Sequence, residues 1–321
     1  MVAHHSAFRQ TYGTIPRQGR QLPLFGPKPS PGFTLIELLV VVGVIAILLA
    51  IMLPSLRRAK ETARRVVCTS HLRQMQIAWY TYAEDHDGFI VCGNAAHFDR
   101  PHGKPWMIDG DSMIAYSRAG AETMMRTGAL ASYVGDVSVY YCPSQYKISN
   151  VGKWSQWCRW MSGYGIVSSM NCMEPSLRAS WESDFNGARS PSPIRTCITK
   201  LSQLHPSGPA RRMVFLDVGC PMPSHGFSAD YYITGLSPMI ARVWAYTSHG
   251  PPIHHSKGTT ASFADGSVQH WKWKDPRTIA LSQAWLEYFE QGETAALPAD
   301  HPPEPFNWDY IEFHKAIWGR L

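Results

Sequence analysis

The hydrophobic pattern changes character twice along the chain. Residues 1–31 show no apolar period. From Phe33 to Leu53 the sequence runs for 21 residues with a single charge, Glu37. At 1.5 Å per helical residue such a run reaches about 30 Å, the thickness of a bilayer core. After Pro54 the apolar positions narrow to one face: Leu56, Ala59, Ala63, Val67, Met75, Ala78 and Tyr82 recur at three- and four-residue steps or their sums. Charged residues fill the other face. The spacing predicts one helix from about Phe33 to about Glu84, roughly 75–80 Å long. Pro54 should kink it rather than end it, because the pattern resumes at once. Asp87-Gly88 is the turn signal that stops it. A helix apolar on one face needs a partner surface, and the rest of the chain must supply it as an antiparallel sheet.

Beyond residue 89 the signals are short. Val137-Ser138-Val139-Tyr140-Tyr141-Cys142 predicts a strand stopped by Pro143, and Met213 to Val218 a second. Residues 260–264 and 267–273 flank Asp265-Gly266, which predicts a hairpin closed by a type I′ turn with positive φ at both central residues. Residues 180–210, rich in Ser, Pro and Arg, predict a loop. Ile279 to Gln291 predicts a helix, which Pro298, Pro302, Pro303 and Pro305 separate from a short tail around 306–317. The expected fold class is α+β: a long N-terminal helix, part transmembrane and part amphipathic, on a small antiparallel sheet with loop-rich insertions.

Charge sharpens this picture. The formal charge is +6, but Arg9, Arg17, Arg20 and Lys28 precede the apolar run with no acid among them. The rest is nearly balanced, which argues against a nucleic-acid-binding stripe. The basic flank reads instead as a topology signal that keeps the N-terminus cytoplasmic, although Arg57, Arg58, Lys60, Arg64 and Arg65 follow the span. The proline-rich leader should be disordered. The seven cysteines all lie past the span and form no Cys-x-x-Cys pair. In an oxidising compartment they predict disulfides, with the odd count leaving at least one thiol over.

A carboxylate inside an apolar span is costly and needs a partner. The residues around Glu37 name one. Gly32-Phe33-Thr34-Leu35-Ile36-Glu37 resembles the processing site of type IV prepilins and type II secretion pseudopilins. The resemblance implies cleavage by a prepilin peptidase between Gly32 and Phe33, and methylation of the new Phe33 amine. It also implies that Glu37 pairs with the terminal amine of a neighbouring subunit, and it places Pro54 where that family often carries a kink. Further pieces resemble a planctomycete-type subgroup with a C-terminal His-x9-Asp-Gly signature, here His255 and Asp265-Gly266. Among these pieces are Cys68-Thr69-Ser70-His71-Leu72, Tyr82 to Gly88 and Cys142-Pro143-Ser144. The implied organisation is a cytoplasmic leader over 1–32, a transmembrane helix over 33–53, its amphipathic continuation over 54–84, and an extracytoplasmic β-rich domain over 85–321. The implied protein is a single-pass inner-membrane pilin-like subunit. Its expected partners are the peptidase, other pilin-like subunits, the inner-membrane assembly machinery and membrane lipid, with no nucleic acid.

Candidate chemistry is sparse. His249, His254, His255 and His270 gather near Asp265 and could offer a metal site. The simpler reading gives His255 a structural bond and makes Asp265 the turn residue. Asp85, Asp87, Asp109 and Asp111 could serve calcium but lack a twelve-residue loop pattern. No Gly-x-Ser-x-Gly elbow and no phosphate-cradling glycine loop occurs, so no enzyme activity, catalytic residue, cofactor or metal is assigned. Trp154, Trp157 and Trp160, three residues apart, leave room for a second function: a membrane-anchored extracytoplasmic binding protein, for example for polysaccharide, that uses the prepilin start only for export. A membrane-tethered hydrolase is a weaker third.

Overall fold

The structure is a computed structural model. It describes residues 32–93, 104–107, 118–144, 162–167, 170–171, 198–204, 208–218, 253, 255–291 and 307–318. The chain is α+β and divides into two compact units, Met1–Pro54 and Ser55–Leu321.

Helix α1 spans Leu35–Asp85, with Pro54 inside it. In the first unit its described side chains are all exposed, with Leu35 at 81% and Ile51 at 70%. An apolar face that size, left in water, is what a membrane or a partner must cover. The helix is long and apolar enough to cross a membrane. Its C-terminal part belongs to the second unit. There Cys68, Leu72, Met75, Ala78, Trp79, Tyr82 and Ala83 are buried, in the three- and four-residue rhythm of a helix facing a core. The expected stripe thus holds at Met75, Ala78 and Tyr82. It fails at Leu56, Ala59, Ala63 and Val67, which are exposed because none of the described elements lies over them. The helix ends as Asp87-Gly88 implied. Asp87 takes a left-handed φ of 53°, and the Gly88 N–H donates to the Ala83 carbonyl at 2.8 Å, the six-to-one bond of a Schellman ending.

The sheet has four antiparallel strands in the order β1-β2-β3-β4: Tyr164–Ile166, Met213–Asp217, Gly258–Phe263 and Val268–Lys272. The two central strands are buried throughout: β2 is an apolar run up to Asp217, while β3 buries the hydroxyls of Thr259, Thr260 and Ser262. The Ser262 hydroxyl donates to the Gln76 side-chain oxygen at 2.8 Å and ties β3 to α1. Phe313, on a helix over Trp308–Trp318, meets Trp271 and Trp273 edge-on, with ring centroids 5.7 and 5.1 Å apart. Among the described residues the remaining α-helices are α2 (Arg118–Thr127), α3 (Ala131–Val134) and α4 (Pro276–Gln291), which makes the Trp308 helix α5.

Two local expectations are corrected. Val137–Tyr140 is a 3-10 turn, not a strand. Asp136 accepts the Ser138 N–H at 2.9 Å and caps it, which overrides the alternating pattern. The β3–β4 hairpin forms, but Asp265-Gly266 is not a type I′ turn, because only Gly266 has positive φ, at 86°. The Gly266 N–H donates to Phe263, and Asp265 accepts the Ser267 N–H. That is a tight turn followed by one left-handed glycine. Consecutive positive φ occurs instead at Ser256 (53°) and Lys257 (64°), the turn that leads from His255 into β3.

A Cβ on Gly266 meets no atom within 4 Å, so only its φ restricts substitution. Gly266→Val should therefore lower the melting temperature of the chain, while Gly266→Asn, which tolerates the left-handed region, should lower it less. Equal melting of both variants and parent would contradict the turn's role.

Candidate functional site

Two places concentrate functional chemistry, one at the start of α1 and one inside the second unit.

At the helix start, Thr34 precedes the first helical residue. Its hydroxyl and N–H both donate to Glu37 Oε2, at 2.7 and 2.9 Å, and the Glu37 N–H donates back to the Thr34 hydroxyl at 3.3 Å. This reciprocal arrangement is a capping box, in which a Thr and a Glu three residues on satisfy orphan N–H groups. Phe33 is 74% exposed beside it. Glu37 therefore has an intrachain role that the spacing alone did not reveal. Its second oxygen, Oε1, has no hydrogen-bond partner among the described residues.

In the second unit Cys68, Cys142, Asp217 and His255 offer one donor atom each, all within 4.8 Å of one another and all buried. Each comes from a different part of the fold. Cys68 lies on the buried face of α1, Cys142 just after the 3-10 turn, Asp217 at the end of β2, and His255 at the turn before β3. Asp217 is the one charge in an otherwise apolar strand. His255 Nε2 stands 2.8 Å from Asp217 Oδ2 and 3.2 Å from Cys142 Sγ, and the Cys68 thiol reaches the same Asp217 oxygen at 3.0 Å.

A second layer fixes these groups. His255 Nδ1 is 2.9 Å from Glu61 Oε1, seven residues before Cys68 on the same helix. The Ser144 N–H donates to Cys142 Sγ at 3.4 Å, and its hydroxyl donates to Glu61 at 3.3 Å. The Thr259 hydroxyl donates to the Asp217 backbone carbonyl at 2.6 Å. Burial would hold the His255 imidazole neutral, but the Asp217 and Cys68 side chains outweigh it and raise its pKa to about 10. Burial pushes the Cys142 thiol up, and Cys68 and Asp217 push it further.

The two described histidines of the grouping expected near Asp265, His255 and His270, do not join Asp265 in a site. His255 turns away from the hairpin into the thiol and carboxylate cluster. His270 Nδ1 lies 3.0 Å from the Thr259 carbonyl, and Asp265 stays in its turn. His249 and His254 lie outside the described residues, as do Trp154, Trp157, Trp160, Asp109 and Asp111. Asp85 instead accepts the Tyr133 hydroxyl at 3.0 Å. The disulfide expectation is corrected for three cysteines: Cys68, Cys92 and Cys142 are buried and not joined in disulfides. Two of them face a histidine and a carboxylate, which explains why they are grouped without being bonded. The other four lie outside the described residues.

An exposed apolar helix led by a capped Thr-x-x-Glu start, followed by a packed sheet unit, defines an α+β protein whose N-terminal helix fits a membrane anchor. Comparison with known proteins identifies the lineage. The family described as "Prokaryotic N-terminal methylation motif" matches residues 28–53. Competence protein ComGC of Halalkalibacterium halodurans is 32% identical over 80 residues, covering 78% of that protein and 23% of this chain. The type IV wide pilus major component PilA4 of Thermus thermophilus is 40% identical over 60 residues, 46% of its length and 19% of this chain. The ComG operon protein 3 homolog of Bacillus licheniformis is 40% identical over 57 residues, 59% of its length and 18% of this chain. The chain belongs to this family of pilin-like proteins with a prepilin-type N-terminal methylation motif. No solved structure matches it.

Proposed function

We propose that the chain is a structural subunit, cut by a prepilin peptidase between Gly32 and Phe33, methylated on the Phe33 amine, and assembled through α1 into a type IV pilus or type II secretion pseudopilus. The supporting observation is the helix start. An exposed apolar helix begins within three residues of Gly32 and carries a capped acid whose Oε1 is left over. In a filament the neighbour's terminal amine would take that oxygen, which relieves an otherwise uncompensated charge in an apolar setting. Residues 33–53 would span the inner membrane with the leader inside, and the second unit would lie outside. His255, Asp265 and Gly266 would be a His-x9-Asp-Gly signature that serves architecture, Gly266 in the hairpin and His255 in the buried cluster.

Cleavage gives the first test. A bulky residue at the cut site should block the peptidase, so Gly32→Trp should accumulate at the precursor mass while the parent is shortened to Phe33. A Gly32→Trp chain shortened like the parent would contradict the assignment.

A further inference from the structure

Cys68, Cys142, Asp217 and His255 come from four separate elements, yet their donor atoms converge on one point. Two sulfurs, one imidazole nitrogen and one carboxylate oxygen make a four-donor set. Soft thiolates with imidazole select zinc over calcium or magnesium. We propose that this cluster is a structural zinc site that pins α1 to the sheet unit it packs on.

Four observations support the site. The donors are the right number for a closed tetrahedron, and none is exposed: His255 and Asp217 are both at 0%. The spacing is right. Tetrahedral zinc with sulfur at about 2.3 Å and nitrogen or oxygen at about 2.0 Å separates its donors by roughly 3.3–3.8 Å. Three of the six donor pairs stand 2.8, 3.0 and 3.2 Å apart and all lie within 4.8 Å, so the donors reach that geometry with shifts of about an ångström or less. The outer layer is also of the kind that metal-bound histidines have. Nδ1 of His255 faces the Glu61 carboxylate, which leaves Nε2 as the inward donor, and a backbone N–H from Ser144 points at the Cys142 sulfur. Finally, the turn presenting His255 holds two consecutive non-glycine residues, Ser256 and Lys257, at positive φ. Strain of this kind persists where the surroundings over-determine it and clusters at functional positions. All four ligands belong to the protein and no position is left for substrate, so the site's role is structural.

The experiment uses the full chain purified in detergent without chelator. Elemental analysis should find close to one zinc per chain. Cobalt exchanged into the site should give the visible bands of a tetrahedral ion together with sulfur-to-metal charge transfer. Cys68→Ser and His255→Ala should lose the metal, while His255→Cys, which keeps a zinc-competent donor, should retain it. Chelator should lower the parent's melting temperature and leave that of His255→Ala unchanged. Because the cobalt spectrum is read on the parent, the test survives if a variant fails to fold. Four outcomes would overturn the proposal: a metal-free parent that takes up no cobalt, a cobalt spectrum without sulfur charge transfer, zinc retained in both Cys68→Ser and His255→Ala, or a Cys68–Cys142 disulfide in the purified chain.

Discussion

Glu37→Val should insert into the membrane at least as well as the parent and be nearly absent from sheared filaments. The substitution removes two things at once, the capping box with Thr34 and the carboxylate offered to a neighbour. Glu37→Gln separates them. Glutamine closes a capping box as glutamate does, but it carries no charge to pair with an amine. If charge pairing drives assembly, Glu37→Gln fails as Glu37→Val does. If capping is what matters, Glu37→Gln assembles normally and Thr34→Val fails. Normal assembly of Glu37→Val would remove Glu37 from the mechanism altogether.

The second large effect is on stability. Asp217 is fully buried and holds His255 and the Cys68 thiol with one oxygen. Removing one partner of a buried charge pair leaves the other uncompensated, typically at a cost of about 3–5 kcal/mol. Asp217→Ala should therefore lower the melting temperature by on the order of 10 °C. Glu61→Ala should have a smaller effect, since Glu61 is a quarter exposed and water can replace it. Unchanged melting of Asp217→Ala would mean that the cluster contributes nothing to the fold. The two effects fall in different units, so each variant leaves the other property intact: Glu37→Val should melt like the parent.

What the sequence revealed depended on how local the cause was. The helix could be read because 21 residues without a break of polarity have few other homes, and its end because Asp87-Gly88 carries its own turn chemistry. Met213–Asp217 and the β3–β4 hairpin were visible for similar reasons, the first as a short apolar run and the second from Asp265-Gly266. Strand β1 was missed because three residues, Tyr164 to Ile166, leave no pattern to detect. Val137–Tyr140 misled because its alternation mimics a strand, while a single cap from Asp136 decides the conformation.

The buried cluster was illegible as a site because its bonded pairs are 38, 113 and 149 positions apart and no short motif joins them. Two residue-level signals were present all the same. An acid inside the apolar run ending at Asp217 is rare without a buried partner. Glu61 and Cys68 are also seven apart, which puts both on one helix face. Neither names the other ligands. Only the sheet order, which sets the end of β2 beside the start of β3, does that.

The central claim is that this chain is a processed subunit built into a filament through α1. Its most direct measurement is the intact mass of the chain recovered from sheared filaments of the producing cell. The account predicts a chain that begins at Phe33 and carries one methyl group on its amine. A chain confined to the membrane fraction, or one still beginning at Met1, would contradict it.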